Sequence, residues 1–271
     1  MKIIANHAHL LPEPNANDWW PKGGTTLLLE HIDYCGIDQV VVFPPFACQM
    51  DNDIIKANRW AWEEVKQHPD RLLAAGVINP IADNAVELLT MFDAEGIKHA
   101  KVHPSVDIHD IASPVAEICY AKAEALGIAL DYHTGAHGTQ LSLSKPEKFD
   151  DVAWKFPKLK MIFEHLGGRL YFEQFLNIIA NHAINSKEPR IFGGLTSILS
   201  TENNKLWYLG SEKIMEVVEF AGADKLIFGL DFPWNSKEIN KRDIEMIQQF
   251  DISTKDKEKI LGGNLTNLLN G

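Results

Sequence analysis

Short apolar runs alternate with longer amphipathic stretches along almost the whole chain. The runs are Lys2–Leu10, Gln39–Phe43, Leu72–Asn79, His99–His103, Ile128–His133, Lys160–His165, Ile191–Thr196 and Leu226–Asp231. Their Val, Ile and Phe content predicts strands. Proline closes three of them, at Pro44, Pro80 and Pro104, where a missing N–H ends a ladder. The intervening stretches carry apolar residues at helical spacing. They predict helices from Thr25 and Thr26, as caps, to Cys35, then Asp53–Gln67, Asn84–Glu95, Pro114–Leu126, Pro146–Trp154, Leu170–Ala183 and Ser211–Ala221. Gly36, Gly96, Gly127 and Gly222 follow four of these helices, the residue type that closes a helix most easily. Two more helices complete the C-terminus, with Asn264 as the cap of the last.

Strands alternating with helices imply parallel pairing. Eight such units in 271 residues fit one closed (β/α)8 TIM barrel, an α/β single domain over residues 1–271, since such barrels run to ~250 residues. An open doubly wound sheet is the alternative. It would scatter the polar strand ends along an edge.

Composition changes the picture only by exclusion. Hydrophobic residues at 45% and charged residues at 23% are those of a globular protein with a full core. A net charge of −11 without a basic cluster excludes a general phosphate-backbone binder. Cys35, Cys48 and Cys119 are few, odd in number and widely spaced, so no disulfide framework is expected and a reducing cytoplasm fits. The first apolar run is too short for a signal peptide, and no stretch has the ~18 apolar residues of a membrane span. The expected partner is a small-molecule substrate, with no nucleic acid and no membrane; a homodimer is the assembly allowed for.

In a barrel the active site lies at the C-terminal strand ends, and the polar residues collect there. His7 and His9 end the first strand, Lys101 and His103 the fourth, His133 the fifth, His165 the sixth and Asp231 the eighth. Unrelated histidines would fall at both ends. His7 and His9 lie on one face of an extended strand, ~6.6 Å apart along it, and Asn6 faces the other way. Imidazoles and a carboxylate converging on one point suit a divalent cation. No nucleophile elbow, P-loop or dinucleotide fingerprint is present.

The ordered set H-A-H at His7–His9, K-V-H-P at Lys101–Pro104, Y-H-T-G around His133, E-H-L-G-G around His165, F-G-L-D-F-P-W around Asp231 and a late I-L-G-G-N resembles the amidohydrolase superfamily. Within it, the chain resembles the Amidohydrolase-2 group, which also contains the aminocarboxymuconate semialdehyde decarboxylases. The resemblance implies a distorted (β/α)8 barrel with one divalent metal, Zn2+ foremost and Mn2+ or another divalent ion admitted. It makes His7, His9, His133 and Asp231 the metal ligands and His165 the acid/base, with Asp231 also catalytic as proton acceptor. There is one departure: the group places an aspartate where this chain has Ala5.

The resemblance leaves several assignments open. Lys101 reads as a buried cation for an anionic substrate; some relatives carry a carboxylated lysine on this strand. His103, His137, Trp20 and Trp234 are expected to line the substrate pocket, with Trp19, Phe46 and His109 as further candidates. Arg169 is expected either to bind a substrate carboxylate or to pair with Glu173. His31 reads as a solvated helix residue. The expected activity is metal-dependent hydrolysis of an amide, ester or lactone in a small carboxylated or cyclic substrate. A non-oxidative decarboxylase needs the same ligands and is the alternative, followed by metal-free hydrolysis and by a non-catalytic barrel.

Overall fold

The computed structural model describes residues 1–13, 20–184, 189–200 and 205–270. Ten ladder segments occur among them: β1 Ile4–His9, β2 Gln39–Phe43, β3 Leu72–Ala74, β4 Gly76–Val77, β5 His99–Val102, β6 Ala129–His133, β7 Met161–Glu164, β8 Ile191–Gly194, β9 Leu226–Ile227 and β10 Gly229–Phe232. All pair in parallel, as β10-β1-β2-β3 and as β4-β5-β6-β7-β8-β9. Only Ala75 separates β3 from β4, and only Phe228 separates β9 from β10. The third and eighth predicted strands therefore each run in two sheets, bending where they change partner. That closes the two sheets into one (β/α)8 barrel, distorted at two seams. Across the second seam the Asn6 N–H donates to the Phe228 carbonyl at 2.8 Å.

Alternation along each strand sorts the core. Outward residues such as Ala5, Ala8, Val40 and Val42 pack in the layer between strands and helices. Inward residues Ile4, Val41, Phe43, Ala129, Ile162, Phe192 and Ile227 make the barrel floor, plugged by Leu265 and Leu268. Interior layers of this kind are the packed core of such barrels. One residue pair further up each strand, the inward positions become polar: Asp131 above Ala129, Glu164 above Ile162.

The helices follow the pattern closely. Pro114–Leu126 ends at Gly127 in the left-handed conformation, φ 66°, where a Cβ is costly. Two expected caps differ. Gly24 is the cap of the helix Thr25–Cys35, and the Thr25 hydroxyl instead donates to Glu64 at 2.6 Å. Asn264 is the first residue of the helix Asn264–Asn270. Its Nδ2 donates to the Ala223 and Leu226 carbonyls, both at 2.8 Å, fastening that helix under the floor. His31 is buried, not solvated, with Nε2 2.8 Å from Asn240 Oδ1; burial lowers its pKa. Among the described residues no helix is long and apolar enough to cross a membrane.

Candidate metal centre

The site is built on irregular backbone. β1 shifts register against β10 between Asn6 and Ala8 and against β2 between Ala5 and Ala8, and His7 has φ 65°. An extra residue in one strand re-aims the side chains that follow. Asn6 is inward by alternation from Ile4, and the bulge turns His7 inward beside it, so both reach interior groups and the expectation that Asn6 faces away is overturned. Simple alternation fails at His7 because the bulge interrupts it. His165, Ser197 and Asp231 also have left-handed backbones, with φ 67°, 62° and 59°. Such strain in non-glycine residues collects at functional sites.

His7, His9 and Asp231 have ligand atoms within 4.8 Å of one another. His7 Nε2 stands 3.3 Å from His9 Nε2 and 3.9 Å from Asp231 Oδ1. Two nitrogens each ~2 Å from one tetrahedral ion would be about 3.3 Å apart. Three donors of this type with space beside them fit a divalent cation with an open position. His133, the fourth expected ligand, groups with His103 and His137 instead, again within 4.8 Å. Its ring stacks on His103 at 4.0 Å and 9° from parallel, and lies 4.8 Å from the His165 ring. Its Nε2 is buried with no hydrogen-bond partner, a donor atom suited to an ion.

The Ser197 hydroxyl donates to Asp231 Oδ2 at 2.6 Å, and Asn235 Nδ2 donates to Ser197 Oγ at 2.9 Å. His165 Nδ1 lies 2.8 Å from the Thr196 carbonyl. A carbonyl only accepts, so Nδ1 carries the hydrogen and Nε2 is an acceptor. Trp207 stacks on His165 at 4.3 Å and donates its indole N–H to the Ala136 carbonyl at 2.9 Å. Burial pushes the His165 pKa down to about 3, against the opposing pull of Asp231. Burial likewise drives His9, His103 and His133 well below the ordinary value, helped by neighbouring cationic groups. His7 goes the other way. Burial and Lys101 press its pKa down, but the nearby Glu164 and Asp131 carboxylates outweigh them and raise it to about 9.

Lys101 is buried with Nζ 2.9 Å from Asp131 Oδ1. A carbamate there would set like charge against Asp131, so this pairing argues against carboxylation of the lysine. Burial opposes ionisation of Asp131, but Lys101, then His7 and His99, hold its pKa well below the carboxylate range.

Sequence reasoning overlooked Asn6, Asp131, Glu164, Ser197 and Trp207 as parts of this site. Two were findable: Asp131 lies two residues before His133, and Glu164 two after Ile162, on the inward face in each case.

A cavity of about 790 Å³ opens over these groups. His7, His9, Lys101, His103, His133, His137, His165 and Asp231 reach it, with Trp20, Phe46, Trp207 and Trp234 as aromatic walls. Arg169 lies outside, in a separate cleft with Glu173 and Lys213, and Glu173 pairs with Lys213 at 2.8 Å. His109 is buried away from the cavity, and Trp19 falls outside the described residues.

This barrel gathers imidazoles and a carboxylate at its C-terminal mouth, a donor set that could hold a divalent ion. Residues 6–270 match the Amidohydrolase family, to which the chain belongs. The family is enzymatic and dependent on divalent metal. Solved structures share the fold end to end. An uncharacterized TIM-barrel protein from Bordetella bronchiseptica is 19% identical, with a TM-score of 0.77 and coverage of 100% of this chain and 99% of that one. A dihydroxybenzoic acid decarboxylase from Polaromonas, with bound manganese and the inhibitor 2-nitroresorcinol, is 14% identical at TM-score 0.73, covering 99% and 97%. A probable 2-pyrone-4,6-dicarboxylic acid hydrolase from Acinetobacter baumannii, with citric acid bound, is 15% identical at TM-score 0.70, covering both chains fully. No protein of curated function matches the chain in sequence.

Proposed function

We propose that the chain is a metal-dependent hydrolase acting on an amide, ester or lactone bond of a small cyclic or carboxylated substrate. His7, His9 and Asp231 would hold the ion, with His133 the next donor to reach it. A divalent cation there supplies Lewis acidity to a carbonyl and acidifies water. The observation that carries the reading is the pair of proton acceptors facing one cavity. Asp231 Oδ2 is engaged by Ser197, which leaves Oδ1 toward His7, and His165 presents Nε2 because Nδ1 is engaged by Thr196. Hydrolysis needs such acceptors. Water adds to the carbonyl carbon, its proton passes to Asp231 or His165, and the same proton goes to the departing nitrogen or oxygen as that bond breaks. The walls of Trp20, Phe46, Trp207 and Trp234 suit a flat, ring-containing molecule.

A decarboxylase is the second reading. It is favoured by those same aromatic walls and by the likeness to a manganese-containing dihydroxybenzoic acid decarboxylase. The two separate in 18O-labelled water. The metal-loaded protein should hydrolyse a member of a lactone, amide and ester panel with one 18O entering the product acid. Release of CO2 from an aromatic carboxylate, with no hydrolysis of any panel member, would reject the hydrolase in favour of the carboxy-lyase.

A further inference from the structure

Directly beneath the His7–His9–Asp231 group lies a buried polar layer that the proposed chemistry does not use. Asp131 and Glu164 are both 0% exposed. Lys101 neutralises Asp131 at 2.9 Å. Glu164 is bound differently. Its Oε1 accepts from Asn6 Nδ2 at 2.7 Å and lies 3.2 Å from His7 Nδ1. Asn6 Nδ2 also donates to Asp131 Oδ2 at 2.8 Å, tying the two carboxylates together.

A buried carboxylate is costly unless it is paired and hydrogen-bonded, yet the barrel is shaped to hold this one. Gly194 is its register partner on β8, and a Cβ at Gly194 would overlap the Glu164 carboxyl group. The glycine leaves a niche that the acid fills. Chain regularity does not require an acid here, since the floor below is apolar at Ile162 and Phe192.

We infer that Glu164 is the positioning residue of His7. With an ion bound, its Oε1, 3.2 Å from Nδ1 though outside hydrogen-bond geometry in the metal-free chain, would take the Nδ1–H and leave the Nε2 lone pair for the metal site, while Asn6 holds the carboxylate in place. The inference rests on the metal reading proposed above. An imidazole that donates its second N–H to a carboxylate is a better oriented and more basic ligand. It also accounts for Ala5. That residue packs in the outer layer, and the carboxylate beside His7 comes from β7 rather than from β1.

The test is chelator competition with Zn2+ and Mn2+ on the full chain, as the unaltered protein, Glu164→Gln and Glu164→Leu. The unaltered chain should bind an ion, and both variants should bind 10- to 100-fold more weakly, the leucine variant the weaker of the two. In the zinc-loaded unaltered protein the His7 Nδ1–H should give an exchange-protected proton resonance, which Glu164→Leu loses. The glutamine variant keeps the shape and one acceptor oxygen, so it should retain the fold by circular dichroism if the leucine variant does not. Unchanged affinity and an unchanged Nδ1–H signal in folded variants would overturn the inference alone. No ion bound by the unaltered chain would overturn the metal reading, and the inference with it.

Discussion

The Ser197 hydroxyl donates to Oδ2 of Asp231 at 2.6 Å, and both residues hold left-handed backbones, φ 62° and 59°. The serine occupies one carboxylate oxygen and leaves the other beside His7. Ser197→Ala removes that bond while Asn235 keeps its second contact, to the Leu230 carbonyl at 2.7 Å. Metal affinity should fall by roughly tenfold, the low end for an outer partner of a ligand. Ser197→Gly should lose the same affinity while relaxing the backbone, so its unfolding midpoint should lie above that of the alanine variant. Chelator competition and urea unfolding measure the two effects.

His133 stands with His103 and His137 rather than with His7, His9 and Asp231. Removing His9 or Asp231 takes one of the three donors that already meet, so His9→Ala and Asp231→Ala should carry no stoichiometric metal after dialysis. His133→Ala should retain an ion with weakened affinity. Elemental analysis of the dialysed proteins checks this; loss of metal in His133→Ala equal to that in His9→Ala would show that the imidazole swings fully into the first group.

His165 touches neither His9 nor Asp231 by a hydrogen bond, and it is held between Thr196 and Trp207. His165→Ala should therefore keep its metal and lose turnover by about 10²- to 10⁴-fold, the range of a general acid or base. Trp207→Ala frees the ring without removing it and should cost less, with Trp207→Phe in between. Loss of metal from His165→Ala would make that imidazole a ligand.

Stability should depend on pH from both sides. His165 and His109 have pKa values pushed down by burial to about 3 and about 4. The unfolded chain protonates them near the ordinary 6.5. Their contribution is complete above that value and is lost as pH falls through the depressed range, by about 1.4 kcal/mol per pH unit for each proton taken up. In the metal-free protein His7, raised to about 9, contributes fully below 6.5, and its share disappears as pH rises through about 9. Urea unfolding of metal-free protein should show greatest stability near pH 6.5. Added Zn2+ should extend it upward, because the ion replaces the proton on His7.

The barrel and much of its mouth were legible in the sequence. Strand and helix periods depend on neighbours in the chain, so Gln39–Phe43 and Pro114–Leu126 match the prediction residue for residue. The collection of His7, His9, His133, His165 and Asp231 at strand ends was equally local, because each strand's direction fixes which end is the mouth. The seams at Ala75 and Phe228 belong to the closed barrel, which bends two strands to reach a second partner. The bulge at His7 also belongs to the tertiary structure. It turns His7 inward beside Asn6, and pairing with β2 and β10 decides it rather than any residue preference in β1. Arg169, one turn past a strand end, points into another cleft because helix packing carries it away. Glu164 beside His7, Ser197 beside Asp231 and Trp207 over His165 join residues 34 to 157 positions apart, and their distances arise only when the barrel closes.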